Sequence, residues 1–103
     1  MRYAYIEKLD GRNPLFPLYK HRIFTCGQEV NSAFRKFMDQ SFGDPLRYHT
    51  AKSLLSENKL SGNTWVLDWM DDTYYEKAHF YFSDEMAPLI FLKFKEERHH
   101  ETY

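Results

Sequence analysis

Five histidines, one cysteine and fifteen carboxylates are the side chains from which this 103-residue chain could build chemistry. His21, His49 and His79 are far apart, and His99-His100 are adjacent near the end, so none makes the i, i+4 or Cys-x-x-Cys spacing that assembles zinc ligands. The sequence implies no metal and no cofactor. Cys26 stands alone, can close no internal disulfide, and is expected to be a small buried apolar residue in a protein of the reducing cytoplasm. His100-Glu101-Thr102 has the shape of half a His-x-Thr phosphoesterase pair, but His49-Thr50 lacks the spacer that would complete it. Gly11, Gly27, Gly43 and Gly62 are too dispersed for a nucleotide-phosphate loop. No catalytic residue is assigned, and a small hydrolase or nuclease is the third functional reading.

The carboxylates carry more information. Net charge is −1, yet residues 1–59 hold ten Lys/Arg against six Asp/Glu while residues 60–103 hold four against nine. Asp68, Asp71, Asp72 and Glu76 interleave with Trp69, Tyr74 and Tyr75. At a hairpin tip such carboxylates are open to water, which leaves their acidity ordinary and disfavours acid/base work. The bland reading of the cluster is a solvated turn. The sharper one is a docking surface for a protein with a basic face, because aromatic rings dominate interface energetics and a field of one sign speeds encounter with the other. For nucleic acid the candidates are Arg12, Lys20, Arg22, Arg35 and Lys36, with His21 beside them. A pI near 6.5 makes that footprint weak.

These residues need elements to hold them. Trp65, Leu67 and Trp69 alternate with Val66, Asp68 and Met70, and Ala78, Phe80 and Phe82 alternate with His79 and Tyr81, which predicts a β-hairpin with its tip between the two runs. Ser83-Asp84 is expected to cap a helix from Glu85 to about Leu92, with Pro88 tolerated in its first turn. The segment LKFKEE is expected to end as a short strand. Earlier, Ala4 and Ile6 alternate with Tyr3 and Tyr5 over a first strand, Asp10-Gly11 turns the chain, and a second, partly exposed strand is expected from Leu18 to Phe24. Val30, Ala33, Phe34, Phe37, Met38 and Phe42 draw an apolar stripe on a helix over 28–42, with Thr25 and Gln28 as a reciprocal cap and Gly43 as its stop. Leu46 and Tyr48 are expected in a loop before a short helix from about Thr50 to Asn58. The sum is an α+β domain over residues 1–96, a small antiparallel sheet with two or three helices packed on one face, and a flexible tail over 97–103. No segment approaches the roughly 20 apolar residues of a membrane helix. Exposed sheet edges would permit a homodimer.

The run Ala78-His79-Phe80-Tyr81-Phe82-Ser83-Asp84-Glu85, followed by Met86 to Leu92 and Lys93-Phe94, resembles a recurrent type of small accessory protein from tailed bacteriophages. The resemblance covers about the last third of the chain, departs at Pro88 and Phe94, and carries no catalytic residue. It implies a phage source, a host-cell cytoplasmic setting and a role in binding and modulating or inhibiting a host protein, such as a defence or nucleic-acid-processing factor. The first functional expectation is therefore a non-enzymatic binder, with Asp68, Trp69, Asp71, Asp72, Tyr74, Tyr75 and Glu76 in contact with its partner.

Overall fold

A computed structural model describes residues 3–70 and 77–97. The chain forms β1 (Tyr3–Lys8), β2 (His21–Cys26), α1 (Gln28–Phe42), β3 (Leu46–Arg47), α2 (Tyr48–Ser56), β4 (Val66–Trp69), β5 (Lys77–Phe82) and α3 (Ala87–Glu97). The strands make one five-stranded sheet in the order β1-β2-β5-β4-β3, antiparallel except for the β3–β4 pair. This is the α+β architecture expected from the pattern of elements.

Period-two alternation becomes two different faces. Ala4, Ile23, Leu67, Ala78, Phe80 and Phe82 share the front face with the apolar sides of α1 and α3, contributed by Val30, Phe34, Met38, Ile90 and Phe94. Aromatic contacts fix this packing: Trp65 stacks on Phe80 with centroids 5.5 Å apart, and Phe34 meets Phe80 edge-on at 6.5 Å. The Trp65 indole N–H donates to the Gly43 carbonyl at 2.7 Å, tying the end of α1 to the start of β4. The rear face has its own smaller core. There Leu15 and Tyr19 of the β1–β2 connection and Ala51 of α2 bury Val66 and Tyr81. Two helices thus lie on one face, and α2 lies on the other.

Glycine is required at both ends of α1. Gly27 (φ 111°) lets β2 turn directly into the helix, and Gly43 (φ 84°) ends it with its N–H on the Asp39 carbonyl at 3.0 Å. The reciprocal cap expected of Thr25 and Gln28 does not form, because Thr25 is still inside β2. Its buried hydroxyl donates instead to the Asn31 side chain, a link from sheet to helix. Other boundaries shift for similar reasons. The second strand starts at His21, since Leu18 and Tyr19 belong to the rear core. Leu46 pairs with β4 as a strand instead of lying in a loop, its N–H donating to the Trp65 carbonyl, and Tyr48 already begins α2. The turn into α3 is closed by the backbone carbonyls of Ser83 and Asp84, not by their side chains. The strand expected from LKFKEE is the continuation of α3, because Ile90 and Phe94, four residues apart, both reach the front core.

Phe80 touches both Trp65 and Phe34 with no exposure. Phe80→Ala should lower unfolding free energy by about 3–5 kcal/mol, read as a fall in the urea midpoint at an unchanged slope.

Candidate functional site

The register places two rows of side chains across the rear face. Directly opposed residues in an antiparallel ladder share a face, so Tyr5, Phe24, His79 and Asp68 form one row across β1, β2, β5 and β4. Glu7, Arg22, Tyr81 and Val66 form the next. In the first row the rings touch in series, Tyr5 to Phe24 at 5.3 Å and Phe24 to His79 at 5.5 Å between centroids, with Tyr3 against Phe24 at 5.8 Å. Tyr3, Tyr5 and Phe24 remain half-buried, and among the described residues α2 packs over β3, β4 and the Tyr81 ring of β5.

The second row is ionic. The Arg22 guanidinium pairs with the Glu7 carboxylate and donates to the Tyr81 hydroxyl at 3.1 Å. Burial works against the Arg22 charge, but those hydrogen bonds outweigh it and hold its pKa above the usual value. His79 Nε2 lies 3.8 Å from the Glu7 carboxylate. Burial, helped by the neighbouring guanidinium and opposed by Glu7, pulls the imidazole down to about 4, so it is neutral at pH 7. Tyr48 stacks on the far side of Tyr81 at 5.7 Å. Glu7 and Arg22 answer each other, and Tyr81 accepts from the guanidinium.

Asp68 differs. It is half-buried, with no hydrogen bond or ion pair among the described residues, and burial raises its pKa against a smaller opposing effect from Arg22. A carboxylate so placed is desolvated with only the weaker pull of Arg22 to offset the cost among the described residues.

Of the seven residues expected to meet a partner, Asp68 and Trp69 are described, and they point to opposite faces. Trp69 packs on the front core and walls a hollow of about 310 Å³ with Gln28, Asn31, Ser32 and Arg35. Asp71, Asp72, Tyr74, Tyr75 and Glu76 lie outside the described residues. The five expected phosphate-binding cations do not form one patch. Arg22 is on the rear face, whereas Arg35 and Lys36 ride on α1 at the front. Four of them already face a carboxylate: Arg12 with Asp10 (2.8 Å), Lys20 with Asp84 (3.4 Å), Arg22 with Glu7, and Arg35 with Asp39 (3.3 Å). His21 stacks on Phe82 at the front, His79 is at the rear and His49 is exposed on α2, so the three described histidines do not converge. Among the described residues no group of three or more His, Cys, Asp and Glu side chains could hold a metal ion, and no helix is long and apolar enough to cross a membrane. Cys26 is buried.

Sequence reasoning missed Tyr5, Phe24 and His79 as one row, and Glu7 as the partner of Arg22. The alternation shows that Tyr5 and His79 leave the front face. It does not show that β5 inserts between β2 and β4, which is what brings them together. No protein-family model, curated protein or solved structure matches the chain.

The His79 shift gives a pH signature. Between about pH 6.5 and 4 the unfolded chain takes a proton that the folded imidazole refuses, so stability should fall as pH drops through that window. Asp68, with its raised pKa, contributes with the opposite sign at the acid end. Urea midpoints measured from pH 7.5 to 4 should fall less steeply for His79→Gln than for the native sequence.

Proposed function

We propose that this protein is a non-enzymatic binding module that docks a protein partner with a basic surface on the rear face of its sheet. The observation that carries the reading is Asp68, a half-buried carboxylate with no hydrogen bond or ion pair among the described residues, at the end of a row that runs through the buried His79 to the half-buried rings of Phe24 and Tyr5. An arginine or lysine from a partner would restore to Asp68 the charge pairing it lacks and lay its stem along the ring row, where cation–π contact adds to the attraction. The acidic stretch Asp71, Asp72 and Glu76 follows β4 directly and extends the same charge preference, with Tyr74 and Tyr75 as aromatic contacts.

Two further features support a binder over an enzyme. The ionic row is satisfied internally, with Arg22 committed to Glu7 and Tyr81, and His79 is neutral and buried, so neither group is poised to act on a substrate. The carboxylate partners of Arg12, Lys20, Arg22 and Arg35 favour a protein over nucleic acid, since those cations are already neutralised. The resemblance to small phage proteins suggests the class of partner, a host protein whose activity is modulated or blocked by occupation of its basic surface.

Asp68→Asn separates this role from a structural one. Removing an uncompensated charge should leave the fold as stable as before or slightly more so, while weakening the complex by roughly 10- to 100-fold, the span of one charge-assisted contact. Affinity capture of host proteins, compared across the native chain, Asp68→Asn and Asp71→Lys/Asp72→Lys, reads the effect. A partner retained equally by the native chain and both variants removes the acidic hairpin and its base from the account.

A further inference from the structure

The outer side of β1 is a row of backbone groups that no described strand covers. Which groups face outward follows from one hydrogen bond. The Leu9 N–H donates to the Lys20 carbonyl at 2.9 Å, continuing the register in which Glu7 opposes Arg22, Tyr5 opposes Phe24 and Tyr3 opposes Cys26. Hydrogen-bonded and non-bonded pairs alternate along an antiparallel ladder, so the odd residues of β1 spend their amides and carbonyls on β2. Those of Ala4, Ile6 and Lys8 point away from the sheet. They offer three donors and three acceptors at the spacing of a further antiparallel strand.

The strand carries few of the devices that discourage edge pairing. It has no proline, its register with β2 runs without a bulge, and its charges are confined to Glu7 and Lys8 at one end. Within the described residues the opposite edge of the sheet is β3, only two residues long and joined in parallel. A head-to-tail chain of copies therefore has no matching strand to grow on. The described surface that matches β1 in length and hydrogen-bond phase is β1 itself, which requires a twofold arrangement.

We infer that two copies of this chain pair antiparallel through β1, with Ile6 on the twofold axis. In that register Ala4 opposes the partner's Lys8, Ile6 opposes the partner's Ile6, Tyr5 opposes the partner's Glu7 and Tyr3 opposes the partner's Leu9. All three outward amides and carbonyls of each copy are used, and no like charges stand opposite one another. Shifting to Ala4 opposite the partner's Ile6 leaves Lys8 without a described residue to pair with. Ile6, half-buried at the rim of the front core, gains cover from its own copy. On the rear face Tyr5 stands opposite the partner's Glu7, an aromatic ring beside a carboxylate. The two sheets become one of ten strands. The inference does not rest on the binding function proposed above: it is carried by the backbone edge of β1, and Ile6→Pro, which touches neither Asp68 nor the ring row, tests it separately.

Sedimentation equilibrium of the full chain over a range of concentrations tests it. The native sequence should show a reversible monomer–dimer equilibrium. Ile6→Pro deletes an outward donor while leaving the β1–β2 bonds in place, and should weaken the dimer by about tenfold or more with an unchanged near-ultraviolet circular dichroism spectrum. Tyr5→Glu sets two carboxylates face to face at each of two symmetric positions and should weaken it too, less so at high salt; it decides the matter if the proline variant fails to fold. A chain that stays monomeric at every concentration overturns the inference. So does a dimer that survives the folded variants, which would move the interface to another surface such as the exposed Leu89 and Leu92 of α3.

Discussion

β5 is buried on both of its faces, and the rest of the molecule is arranged to make that possible. Apart from Lys77 every residue of the strand is withdrawn from water. On the front, Ala78, Phe80 and Phe82 are apolar and need only close packing, which α1, α3 and Trp65 supply. On the rear, His79 and Tyr81 bring polar atoms into a region of low dielectric, where an unanswered group costs far more than it would in water. The strand sits between β2 and β4, and the polar groups that answer it come from β2 and β1.

That constraint accounts for the ionic row. Arg22 reaches Tyr81 from β2, and Glu7 reaches Arg22 from β1, so a hydroxyl at the middle of the sheet is supported by a charge pair that ends at its edge. His79 sits beside the same pair and responds by staying neutral. A chain of this kind is worth little as a simple sum of ion pairs, because desolvation offsets most of the attraction. Its value is in register: sliding β1 or β2 by one residue would turn Glu7 or Arg22 to the front and strand the other charge. The interior polar groups thus select one alignment of strands that the apolar residues alone would fix less sharply.

Asp68 lies in the neighbouring row and has no hydrogen bond or ion pair among the described residues. Natural sequences keep an uncompensated, half-buried carboxylate mainly where something outside the fold answers it. The rings of Tyr5 and Phe24 are the part of the rear face left open by α2 and the β1–β2 connection, and the buried His79 ring lies between them and Asp68. A fold of this size has too few helices to cover both sides of its sheet, and this part of the rear face is where the cover runs out.

Local pattern was enough for much of this. The stripe from Val30 to Phe42 specified α1, because a helix needs only its own periodicity and an apolar surface to face. Alternation in Tyr3–Lys8, Val66–Trp69 and Lys77–Phe82 specified three strands and assigned each side chain to a side, since the period of two belongs to the extended backbone itself. What tertiary structure alone decided was adjacency. Thr25 stands three residues before Gln28 like a helix cap, yet it stays in the sheet because β2 runs on to Cys26 to meet both β1 and β5. Leu46 pairs with β4 only because α2 carries the chain back alongside it. The candidate site belongs to this second class. Tyr5, Phe24, His79 and Asp68 are contributed by four strands, and a spacing along the chain contains no term for which strand will lie beside which. That order is set when β5 inserts between β2 and β4, the arrangement that buries its rings on both sides at once.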